Sequence, residues 1–149
     1  MTDKRQTPVS RDTFKVFCPI QTRWEDNDVY GHVNNVVYYA WFDTAVNAHL
    51  IEQGALDPTG GDVVGVVVET MCRYHAPVSF PEPVELGLRV ERIGETSVRY
   101  ALGVFRAGEE RAAADGHFVH VYVERDAMRP VPVPDAVRRA VLPLTADRP

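Results

Sequence analysis

The stretch from Val36 to Gln53 constrains the fold of this chain more than any other. Apolar side chains fall on nearly every side of it, interrupted mainly by Asp43, Asn47, His49 and Glu52. A helix that is apolar all round is normally buried rather than laid on a surface. The residues before it, Arg23-Trp24-Glu25-Asp26-Asn27-Asp28-Val29-Tyr30-Gly31-His32-Val33-Asn34-Asn35, are polar and turn-forming. Asn34 or Asn35 is expected to supply the side-chain oxygen that satisfies orphan N–H groups at the helix start. Gly54 offers the left-handed position that often ends a helix. A carboxylate-bearing loop thus feeds the positive end of a buried helix, an arrangement able to bind and polarise an oxygen.

The rest of the chain reads as strands. Phe14, Val16, Cys18 and Ile20 alternate with more polar neighbours, and Pro19 assigns that strand to an edge or a bulge. Gly54 to Asp62 is a connection. Val63 to Tyr74 is β-branched and apolar, which suggests a strand buried on both faces. Val84, Leu86, Leu88 and Val90 alternate with Glu85, Gly87, Arg89 and Glu91. Turns at Gly94-Glu95 and at 107–110 lead into strands from Val98 and from Ala112, an antiparallel meander. A short helix, Asp135 to Leu142, follows. A long apolar helix needs a strongly curved antiparallel sheet as cover, which gives a two-layer α+β domain. We expect one domain over residues 1–149, with its core at about 14–134. A wrapped sheet also leaves one edge and part of one face uncovered, which a second copy would remove.

Composition narrows the function classes. A net charge of −5 argues against a nucleic-acid partner or an anionic membrane surface. Cys18 and Cys72 have no spacing motif and read as reduced thiols, and the first eleven residues lack the apolar run of a signal peptide. The longest apolar run, Val63 to Val68, is too short to span a bilayer, so a cytoplasmic protein is expected. His117 and His120 are three apart in a strand and point to opposite faces. No His-Glu-x-x-His, Cys-x-x-Cys, Gly-x-Ser-x-Gly or phosphate-cradling loop occurs, so no metal and no cofactor is expected.

The motif Asp26-x-Asp28-x-x-Gly31-His32-Val33-Asn34-Asn35-x-x-Tyr38, preceded by Arg23, resembles the hotdog-fold thioesterases, specifically the 4-hydroxybenzoyl-CoA thioesterase-like branch. The resemblance extends more loosely over about residues 14–134. It implies a hotdog fold, assembly as a homodimer or homotetramer, and an acyl-CoA substrate. It also implies that Asp28, the second carboxylate of the motif, is catalytic, as nucleophile through a mixed anhydride or as general base on water. By turn chemistry alone Asp28 would be an Asx-turn or capping residue. Asp26 fits a structural hydrogen-bonding role better.

Matching the family pattern puts the Asn35 N–H near the oxyanion role, with Gly31 letting the acyl group approach the backbone. Asn34 and Asn35 are otherwise simple caps. His32 is assigned to the substrate pocket rather than to the essential base. Tyr38, one turn beyond Asn34, lines that pocket or packs in the core. The expected activity is hydrolysis of an acyl-CoA thioester to a carboxylic acid and CoA. A hotdog hydratase or dehydratase and a non-catalytic acyl-binding dimer are the alternatives. Arg73, Arg89, Arg92 and Arg99 are equal candidates for the CoA phosphates.

Overall fold

The computed structural model describes residues 7–145. Five strands form one antiparallel sheet: β1 (Val16–Gln21), β2 (Val63–Tyr74), β3 (Pro83–Ile93), β4 (Ser97–Arg106) and β5 (Ala114–Glu124). Their spatial order is β1-β3-β4-β5-β2. The meander β3-β4-β5 occupies the centre because its short turns pair consecutive strands directly. Helix α1 (Val37–Glu52) lies across one face, and a short helix α2 (Asp135–Val141) closes one end of the same layer.

Strand alternation sets which side chains meet the helix. Val84, Leu86, Leu88 and Val90 of β3 pack with Val98, Tyr100, Leu102 and Val104 of β4 and with Phe118 and Tyr122 of β5. Against them α1 presents Tyr38, Trp41, Phe42, Ala45, Val46 and Leu50. The core continues past Pro134 into α2 through Val137, Ala140 and Val141, and on to Leu144. Gly54 adopts φ +72° and ends α1, where its N–H bonds the Ile51 carbonyl. This is the α+β hotdog architecture expected from the pattern.

Three expectations are corrected. Within one chain α1 is not buried all round: Ala40, Thr44, Ala48 and Ile51 are exposed, because the sheet covers only the side of the helix that faces it. The strand β2 is not buried on both faces. It pairs with β5 alone and forms an edge, leaving Val67 46% and Val68 57% exposed. Its β-branched composition answers to pairing and to whatever covers that edge, neither of which a single-strand pattern distinguishes. Finally, no asparagine caps α1. Val36 holds the N-cap position in helical geometry, and the Asn34 side-chain oxygen accepts the Val36 N–H at 3.1 Å, just ahead of the helix.

Candidate active site

The loop before α1 is a braced polar turn. Asp26 is buried, and its carboxylate accepts the Arg23 backbone N–H at 2.8 Å and two guanidinium bonds at 3.1 and 2.8 Å. Its carbonyl accepts the Asn34 N–H at 2.9 Å. The segment 78–80 fixes the loop from the other side. Val78 accepts the Val33 N–H at 2.7 Å, Ser79 Oγ donates to the Gly31 carbonyl at 2.8 Å, and Phe80 N–H donates to Asn27 Oδ1 at 3.0 Å. Gly31 sits at φ +81°, a conformation that other residues rarely adopt.

Asp28 lies in the middle of this turn and is half-buried. Its Oδ1 accepts the Tyr30 N–H at 2.9 Å, and its own N–H bonds the His32 carbonyl at 2.9 Å. The Asx-turn is therefore present. It uses one carboxylate oxygen and leaves Oδ2 without a donor among the described residues.

At the helix entrance Asn34 takes up two N–H groups, Val36 through its side chain and Val37 through its carbonyl at 3.0 Å. The Asn35 N–H finds no acceptor among the described residues. Beside it opens a cavity of about 300 Å³, lined by His32, Val33, Asn35 and Tyr38 on one side and by Tyr74 to Pro77 on the other. Asp28, Gly31 and Asn34 are on the adjoining turn and do not line it. Tyr38 is placed differently. It lines the cavity and is also buried, its ring 5.0 Å from those of Trp41 and Tyr74. Burial pushes its phenol up to about 12, so it stays neutral at ordinary pH.

Two groups on the far wall escape a reading of the sequence. The Tyr74 hydroxyl donates to the Asn35 carbonyl at 2.8 Å and ties β2 to the helix entrance. His75 follows, with Nε2 2.8 Å from Asp115 Oδ2. Asp115 is buried and is also held by Arg73 at 3.0 and 3.2 Å. Such a group can orient an imidazole. No local signal marks it, since Arg73 and Asp115 face each other only through the β2–β5 register. Arg73 is thereby an ion-pair partner, whereas Arg99 pairs with Glu69 and Glu91. His120 and His117 lie on opposite faces as their spacing requires: His120 is buried on the helix side, and His117 bonds Glu69 at 2.7 Å.

Comparison with known proteins places this geometry. Residues 22–141 match the model of the thioesterase-like superfamily. No curated protein sequence matches the chain. Among solved structures, the PA5185 protein of Pseudomonas aeruginosa PAO1 is 53% identical over 97% of this chain and 100% of its own, with a TM-score of 0.92. The PA2801 protein of Pseudomonas aeruginosa, provisionally described as a thioesterase, is 31% identical over 83% of this chain and 95% of its own, with a TM-score of 0.78. BH1999, a gentisyl-coenzyme A thioesterase, is 26% identical over 84% of this chain and 98% of its own, with a TM-score of 0.73. On these matches and this fold, the chain belongs to the thioesterase-like superfamily and is a thioester hydrolase.

Proposed function

We propose that the protein hydrolyses an acyl-CoA thioester to a free carboxylic acid and CoA. The observation that carries this reading is the Asn35 N–H, without an acceptor among the described residues, at the positive end of α1 and opening on a cavity next to the Asp28 turn. Attack on a thioester carbonyl puts negative charge on its oxygen. A backbone N–H held by the fold stabilises that charge without reorganising.

Asp28 supplies the attack. As nucleophile, its carboxylate forms a mixed anhydride while the C–S bond breaks and CoA leaves as thiolate; water then hydrolyses the anhydride. As general base, it takes the proton of a water that attacks the carbonyl directly. Gly31 keeps the approach to the backbone clear, and His32 and Tyr38 contact the acyl group. We assign to His75, oriented by Asp115, the proton that the departing thiolate takes up. The CoA identity of the thiol finds support in BH1999, a coenzyme A thioesterase of similar fold.

We infer a homodimer or homotetramer. The bare β2 edge and the exposed Trp24, Val29, Tyr30 and Val36 are the surfaces that a second copy would cover. Cys18 and Cys72 are free thiols, as suits the cytoplasm. Among the described residues no helix is long and apolar enough to cross a membrane. The test is a hydrolysis screen over short-chain, long-chain and aromatic acyl-CoAs, read by free-thiol release. Turnover of at least one of them well above the spontaneous rate is expected, and none with any acyl-CoA would refute the substrate class.

A further inference from the structure

A second cavity, of about 220 Å³, lies between the C-terminal half of α1, the start of β2, β5 and α2. Its lining includes Leu50 and Val137, which are apolar, and Asn47, whose amide already bonds Asp43. Two further lining residues, His120 and Tyr122, are only 2% and 5% exposed. His120 Nδ1 and the Tyr122 hydroxyl are both buried and find no hydrogen-bond partner among the described residues. A third orphan stands directly behind them. The Tyr100 hydroxyl faces that of Tyr122 without completing a well-formed hydrogen bond among the described residues, and the Tyr100 ring is 6.1 Å from that of His120.

Buried polar atoms are nearly always hydrogen-bonded, and leaving one unsatisfied is costly. Two of them bordering an open space, with the third behind, mark a place where something else supplies the partners. The space is suitably sized, since a cavity of about 150 Å³ holds a benzene ring. It is also kept open. Gly65 of β2 borders it, and a Cβ there would come within 3.2 Å of the Tyr122 ring and 3.3 Å of His120.

The polarity of the lining narrows the ligand. Burial keeps the His120 imidazole neutral, its pKa lowered to about 4, and raises the Tyr122 phenol to about 12. The charged lining residues, Asp57 and Arg125, are exposed and already bond Thr59 and the Gly61 carbonyl, so the buried wall is His120 and Tyr122, and a neutral, desolvated wall favours a neutral donor or acceptor over a charged group. We propose that this cavity binds a neutral, ring-sized group bearing a hydroxyl or carbonyl, which bonds His120 and Tyr122. The group belongs either to the acyl part of the substrate or to a free small molecule. Only the first source rests on the thioesterase reading.

The test uses the full chain, with phenol and toluene as probes of nearly equal size. Titration followed by the His120 ring resonances is expected to show saturable binding of phenol at least about tenfold tighter than that of toluene, equivalent to about 1.4 kcal/mol. Tyr122→Phe should abolish that preference while leaving toluene binding and the fold intact. Because it removes an orphaned hydroxyl, it should also hold or raise Tm, whereas a purely structural role predicts a lower Tm. Gly65→Ala, which crowds the two rings, should weaken both probes.

Equal binding of the probes, or a soaked crystal in which only water bridges the three orphan atoms, would overturn the proposal. The source follows from kcat/KM with benzoyl-CoA and hydroxybenzoyl-CoA. A hydroxyl preference that Tyr122→Phe removes identifies the acyl group, and unchanged selectivity alongside lost phenol binding identifies a free molecule. The binding arm needs no turnover, so an enzyme inactive on every acyl-CoA would refute the function above without touching this site.

Discussion

Asp26 and Asp28 are two residues apart, yet replacing each by asparagine should give opposite outcomes. In Asp28→Asn the amide oxygen still accepts the Tyr30 N–H that Oδ1 accepts now at 2.9 Å, so the turn survives. The variant loses the negative oxygen that attacks or takes a proton. The expected fall in kcat is about two to four orders of magnitude, or about 3–5 kcal/mol of barrier. In Asp26→Asn the chemistry is spared and the brace is not. Both carboxylate oxygens now accept hydrogen bonds, Oδ2 from the Arg23 backbone N–H and Oδ1 from its guanidinium. An amide offers one acceptor and turns its NH2 toward a donor. With Asp26 only 1% exposed, the lost backbone bond should cost about 1.5–3 kcal/mol; the exposed guanidinium adds little. For a chain of this length that is a Tm lower by about 5–10 °C. Free-thiol release under saturating substrate and thermal unfolding, measured on the same preparations, separate the two. Near-normal turnover in Asp28→Asn, or a kcat collapse in Asp26→Asn with unchanged Tm, would refute the division of labour.

Three further outcomes are expected. Light scattering in dilute solution should report a dimer or tetramer, and a species only at the 16.7 kDa chain mass would count against the bare β2 edge as an interface. Activity should survive exhaustive chelation; loss on chelator treatment, restored by a divalent ion, would overturn the metal-free route. Burial lowers the His120 pKa from 6.5 to about 4, so between those values the unfolded chain takes up a proton that the folded chain refuses. Stability is therefore full above about pH 6.5 and falls as pH drops toward 4, by up to about 3 kcal/mol. Denaturant titrations of wild type and His120→Asn should diverge across that window, and parallel curves would show that His120 is not buried neutral.

The local signals were strong where one element answers to itself. Period-two alternation placed the helix-facing residues of β3, Pro19 marked β1 as an edge or a bulge, and Gly54 ended α1, because each depends on a residue's own backbone geometry or on the face it presents. The turn around Asp28 was also legible, since Asx and glycine chemistry act within four residues.

What the sequence by itself determined is therefore the element order, the helix-facing side of β3, and a carboxylate turn leading into a helix. Only the tertiary structure decided that β2 lies at an edge, for an apolar strand has the same composition beside one neighbour or two. It alone decided that Asn34 takes up the Val36 and Val37 N–H groups and leaves that of Asn35 without an acceptor among the described residues, a difference of one residue in where the helix begins. It alone brought His75, Asp115 and Arg73 together and left His120 Nδ1 and the Tyr122 hydroxyl without partners among the described residues at the wall of a cavity. Arg73 and Asp115 are far apart along the chain, and the register between β2 and β5, which no hairpin turn sets, is what makes them neighbours.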